Sequence, residues 1–252
     1  MVATLLVRGI LAGIVAGLLC FGFLKLYGEP QVDRAIAFEA QLDEGKAAAD
    51  KAKGMDMSEH EQPELVSRAV QAGIGLFVGV VVYSTAFGGL FALAFAFVYG
   101  RATGALTPQA LSALMAATGF VAIYLVPNLK YPANPPSGGD PETIGIRTAL
   151  YFIMIAISFA AMVGSIGLRR YLLPRYGEWN ATLLVAGTYL ALVVIAGLLL
   201  PAVNEVPAQF PAVVLWKFRI ASIGAQVIMW ATIGLLFGAL TQWASTASSM
   251  RR

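Results

Sequence analysis

The sequence predicts an all-α integral membrane protein of six transmembrane helices, and three observations carry that prediction. Of 252 residues, 58% are hydrophobic and 12% are charged, where a soluble domain carries about 25% charged residues. So few charges cannot coat a globular surface. Mean hydropathy is +0.74, and the apolar runs reach the roughly 20 residues that cross a bilayer core. These runs lack period-two alternation, which argues against a β-barrel, the other architecture that satisfies its backbone in lipid. The one cysteine, Cys20, lies inside an apolar run, which excludes a disulfide-built module and a zinc site of Cys and His. A net charge of +3 does not point to nucleic acid, because the basic residues are scattered at helix ends instead of gathered in a patch.

The spans fall at about 4–26, 70–98, 109–127, 148–168, 181–201 and 219–241 of a single multi-pass domain, 1–252. The first, although Arg8 precedes an apolar run, is too long for a signal peptide and has no small-x-small cleavage site after it, so it reads as a true span. Gly9, Gly13 and Gly17 form a small-residue ridge along it, with Gly75/Gly79 and Gly234/Gly238 as further pairs. Such ridges let helix backbones approach closely, in a compact bundle or against a partner helix, including that of a homo-oligomer. The second span is longer than a bilayer core requires, and Gly88-Gly89 is its natural bending point.

Charge sets the orientation. With both termini on one side, that side holds Arg8, Arg101, Arg169, Arg170, Arg175, Arg251 and Arg252 against Glu178 alone. The positive-inside rule makes this the cytoplasmic side. The three outer connections then hold nearly all the Pro, Asn and carboxylate residues. The first runs from Gly28 to about Ser67, and its middle, Asp43 to Glu61, reads as mobile or loosely helical. The second contains Tyr131-Pro132-Ala133-Asn134-Pro135-Pro136, and the third Asn204-Glu205-Val206-Pro207 and Phe210-Pro211. Proline this dense fixes the backbone, so these loops read as an ordered outer cap. Each outer loop ends on an arginine expected to open the next helix, Arg68, Arg147 or Arg219. This faint repetition suggests three related helix hairpins. Arg68 with Gln71, and Arg219 with Gln226, share helical faces.

The spans contain almost nothing to relay protons. Apart from Arg8, Lys25 and Arg219 near their ends they lack Asp, Glu, His, Lys and Arg, the residues that proton-coupled carriers keep in the membrane. Hydroxyls and amides such as Ser84, Thr85, Thr118, Ser158, Ser165 and Gln226 read as partners of backbone carbonyls, and Met115, Met154, Met162 and Met229 as gap fillers. The chemical candidates are therefore outside. Glu29, Asp33, Glu39 and Glu205, with the amide oxygens of Asn134 and Asn204, suit a mouth that concentrates a divalent cation. The alternative is that these carboxylates pair with Arg34, Arg68, Arg147 and Arg219. In the first loop, Met55, Met57 and His60 lie among Asp56, Glu59 and Glu61 as a short cluster of metal donors. No catalytic constellation can be assembled from one histidine and one cysteine, so the chain does not read as an enzyme.

Several strings together resemble a known family: Arg8-Gly9 with its glycine ladder, Gly28-Glu29-Pro30 through Phe38-Glu39, Val66-Ser67-Arg68, Gly88-Gly89-Leu90-Phe91-Ala92-Leu93, Tyr131 through Pro136, Thr143 through Thr148, and Asn204 through Arg219. In order and spacing they resemble the CbtA family of predicted cobalt transporter subunits, almost end to end. The resemblance implies a multi-pass protein of the bacterial cytoplasmic membrane that supplies cobalt for cobalamin synthesis beside a small single-span companion, CbtB. It implies a transported divalent metal and no permanently bound cofactor. Members commonly carry a His-rich stretch in the first outer loop, where this chain has His60 alone. Two other readings stand beside a metal-uptake subunit: a membrane scaffold that binds no ion, and, more weakly, a lipid-modifying membrane enzyme.

Overall fold

The computed structural model describes residues 2–52, 66–101, 106–136 and 142–249, and among them there is no strand. Five helical stretches are long and apolar enough to cross a membrane: Val2–Ala48, Arg68–Val98, Pro108–Lys130, Ile144–Leu199 and Ala212–Thr246. The elements divide into two units, 1–97 with 134–139 and 206–233, and 98–133 with 140–205 and 234–252.

In the first unit, α1 (Val2–Phe23) runs through a π turn, Leu24–Gly28, into α2 (Glu29–Ala52) without leaving helix. This corrects the expected loop: residues 28–52 are helical. The expectation misread Pro30. Proline has no N–H to return to the carbonyl four residues earlier, which ordinarily ends a helix. Here the preceding turn widens so that the Glu29 N–H bonds the Leu24 carbonyl five residues back, and proline sits just after a π-bulge. The chain uses the device again in the second unit, where Val126 N–H bonds Val121 O immediately before Pro127. At about 1.5 Å per residue α2 extends about 36 Å beyond the π turn. Its early turns pack on the 206–211 segment through Phe38 and Phe210, whose rings meet edge-on at 5.3 Å. The rest of the expected mobile stretch, from residue 53 onward, lies outside the described residues.

After a short α3 (Arg68–Val70) and a second π turn, Gln71–Gly75, α4 (Leu76–Val98) runs as unbroken α-helix through Gly88-Gly89. Gly88 is therefore a contact and not the expected bend. A Cβ on it would meet the Gly9 carbonyl oxygen and stand 2.9 Å from Gly13 Cα. The glycine ladder of α1 thus packs backbone to backbone on α4.

The second unit begins with α5 (Pro108–Gly119), capped by the Thr107 hydroxyl, which accepts from Ala110 N–H at 3.1 Å. A third π turn, Phe120–Leu125, leads into α6 (Val126–Lys130). Helix α7 (Ile144–Leu199) is helical over 56 residues except at Gly177, where φ is 73° and ψ 172°. The expected span 148–168 and all but the last two residues of 181–201 lie in this one run, as does the region 169–180 expected as a loop. Its arms, 144–176 and 178–199, face each other across the break. Ser158 and Tyr189 hydroxyls are 2.8 Å apart, Arg169 Nε donates to Thr182 Oγ1 at 3.2 Å, and Met154 packs with Val193 and Tyr131. Partners drawn progressively nearer to Gly177 from both sides mean that the arms run antiparallel. A φ of 73° with extended ψ is a region that glycine alone enters readily. Gly177→Ala is expected to cost about 1–3 kcal/mol, read as a lower thermal midpoint in detergent.

Helix α8 (Ala212–Ser249) starts seven residues before the expected span. Arg219 therefore sits two turns inside it instead of opening it.

Candidate functional site

Three arginines organise the polar ends of the helices, each with its own partners. Arg68, the first residue of α3, reaches across to α2, where Glu29 and Asp33 stand one turn apart on a shared face. Its Nη2 bonds Glu29 Oε2, and its Nε and Nη2 donate to Asp33 Oδ1 at 3.0 and 2.9 Å. One guanidinium thus clamps two carboxylates, a geometry its planar fork of donors suits. Gln71, a turn later, donates to Val66 O at 2.8 Å and closes the chain into the helix.

Arg147, in the first turn of α7, makes the most enclosed pair. Its Nη1 donates to Glu205 Oε2 at 3.0 Å, and its Nη2 bonds the Pro132 carbonyl. The other carboxylate oxygen, Glu205 Oε1, accepts from Thr143 Oγ1 at 2.8 Å. The Glu205 side chain is only 2% exposed and that of Arg147 21%. Tyr131 supports the same end of the unit by donating to Pro201 O at 2.8 Å. Burial pushes its phenol above its usual range, so it remains a donor at any physiological pH. Two proline-rich loops are thereby tied by hydrogen bonds to proline carbonyls, which are free because no regular helix claims them.

Arg219 Nη2 donates to Asn134 Oδ1 at 3.0 Å in the first unit. Glu39 lies exposed on α2, and Asn204 is exposed beside Glu205. Gln226 is engaged with the Tyr83 hydroxyl. Arg34 donates to Gln31 Oε1 within α2. Met55, Met57 and His60 lie outside the described residues. Among the described residues no three of His, Cys, Asp and Glu gather into a group that could hold a metal ion.

Sequence reasoning missed Thr143 and the Pro132 carbonyl as partners of this network. Thr143 stands four residues before Arg147, the helical spacing that turns both toward one acceptor. That signal was available.

The chain matches the family described as probable cobalt transporter subunit (CbtA) over residues 2–242. It belongs to the CbtA family. No curated protein and no solved structure matches the chain. The family is described as a probable cobalt transporter subunit, a description that implies a partner and names a transporter rather than an enzyme class. Its long apolar helices make it a multi-pass membrane protein.

Proposed function

We propose that this CbtA chain is the membrane subunit through which divalent cobalt enters the bacterial cell for cobalamin synthesis, acting with a small single-span companion of the CbtB kind. The family match over residues 2–242 is the observation that carries the reading. In this reading the chain crosses the cytoplasmic membrane six times with both termini inside, the antiparallel arms of α7 forming one of three hairpins. The break at Gly177 and the arginine-rich, acid-poor side of the chain support it.

Glu29, Asp33, Glu39 and Asn134 in the first unit, and Asn204 and Glu205 in the second, are the ion-path groups of this reading, and Arg68, Arg147 and Arg219 act as resident counter-ions within their own units. An arginine keeps its carboxylate placed while no metal is present. A divalent ion, carrying twice the charge, competes for the same oxygens and displaces the guanidinium. Without a proton-relaying group in the spans, movement follows the gradient or is driven by a partner.

The enclosure of Glu205 favours a second reading, in which the arginine pairs are structural and the chain is a scaffold binding no ion. Cobalt-57 uptake separates them. Cells expressing this chain with the companion are expected to accumulate cobalt well above cells expressing the companion alone. Equal uptake would leave the scaffold.

A further inference from the structure

Within the first unit, Cys20, Leu24, Gly79, Val80, Tyr83, Ser84, Ala225, Gln226 and Met229 surround a cavity of about 220 Å³. It lies at the level of the apolar spans, and its wall is mainly apolar with a few polar groups set into it. Two observations distinguish it from a packing gap. Ser84 is 1% exposed, and its Oγ has no hydrogen-bond partner among the described residues, although a buried hydroxyl ordinarily finds one. Two sulfurs line the same space, Cys20 at 3% and Met229 at 2% exposure. Gly79 stands exposed at the open edge of the cavity, where a Cβ would have nothing within 4 Å.

We infer that this cavity is a transit site for a partly hydrated first-row transition-metal dication, held by the sulfurs of Cys20 and Met229 with oxygen donors from Ser84 and Gln226. The inference deepens the transport reading and rests on it. Size permits it: six first-shell waters at about 30 Å³ each fill about 180 Å³. Donor chemistry supplies selectivity, because thiolate and thioether favour transition metals while Mg²⁺ and Ca²⁺ demand oxygen. Cys20 Sγ–H now donates to Ala225 O at 3.2 Å. When the metal–sulfur bond forms, that proton passes to a water of the ion's own shell, and when the bond breaks as the ion leaves, the thiolate takes a proton back from water and restores the donor to Ala225. One thiolate offsets only one of the two charges, so the ion is held weakly. A conducting site requires this, since an ion bound too firmly does not leave.

The test uses the full-length protein in nanodiscs, titrated with Co²⁺ and followed by thiolate-to-cobalt charge-transfer absorption. Cys20 is the only cysteine, so any such band reports this site. The band is expected in the unaltered protein, to persist in excess Mg²⁺, and to vanish in Cys20→Ser, whose hydroxyl still donates to Ala225. Met229→Leu and Gly79→Leu are each expected to weaken Co²⁺ binding about tenfold or more. Gly79→Leu should do so with an unchanged melting midpoint, because it adds bulk at the cavity's edge where its Cβ meets no other atom. No band in the unaltered protein, or a band indifferent to both Met229→Leu and Gly79→Leu, overturns the site. Cobalt uptake in cells is scored separately: uptake without the band overturns this inference alone, and no uptake in cells overturns the transport reading.

Discussion

Replacing Glu205 with alanine is expected to destabilise the protein by about 3–5 kcal/mol, the range for removing one partner of a buried ion pair. Both carboxylate oxygens are engaged, one by Arg147 and one by Thr143, and the side chain is almost fully enclosed. Its loss leaves the Arg147 guanidinium partly buried with only the Pro132 carbonyl. The doubly apolar variant Arg147→Leu/Glu205→Leu should recover part of the loss, since removing both charges leaves neither stranded. The milder Glu205→Gln keeps shape and gives up charge. Placed between Pro201 and Pro207, on backbone of restricted freedom, Glu205 can be held ready before an ion arrives. Glu205→Gln is therefore expected to cut cobalt uptake strongly at matched protein abundance, while His60→Ala changes it little. If Glu205→Gln instead lowers abundance and leaves uptake per molecule intact, the pair is structural and the scaffold reading gains.

The enclosure of Glu205 also shows what a sequence can and cannot disclose. That carboxylates and arginines were concentrated at the same helix ends was visible from hydropathy alone. Which oxygen met which guanidinium was not, because Arg147 and Glu205 are separated by 57 intervening residues whose path depends on the turn at Gly177. The apolar spans were legible because lipid imposes one simple rule on composition. Their ends were less so, because the same rule says nothing about a helix continuing into water. One proline accounts for the largest difference: Pro30 ordinarily marks a helix exit, yet a π turn absorbs it. Hydropathy does not register that device. The cavity around Cys20 was invisible for another reason. Ser84, Gln226 and Met229 were each ordinary in a one-dimensional pattern, and only the packing of α1, α4 and α8 placed them around one space.

The glycine ladder makes the sharpest contrast within a single helix. A Cβ on Gly13 would stand 2.8 Å from Thr85 Cα and against the Ser84 carbonyl, and one on Gly17 would stand 2.8 Å from Val81 Cα. These neighbours are backbone, which cannot swing aside as a flexible side chain can. Gly22, further along α1, has nothing within 4 Å of its would-be Cβ. Intrinsic helix preference favours alanine over glycine by about 0.5–1 kcal/mol at both positions. Packing reverses that sign at Gly13 only. Gly13→Ala is expected to lower stability by about 1–3 kcal/mol, the usual penalty for overpacking, and Gly13→Leu to prevent recovery of folded protein from detergent. Gly22→Ala should leave the unfolding midpoint unchanged or raise it. Similar losses at both positions would mean that α1 and α4 do not meet along this ridge. A loss confined to Gly13, repeated at Gly88 from the opposite helix, would establish the contact from both sides, since Gly88→Ala meets the Gly9 carbonyl and Gly13 Cα in turn.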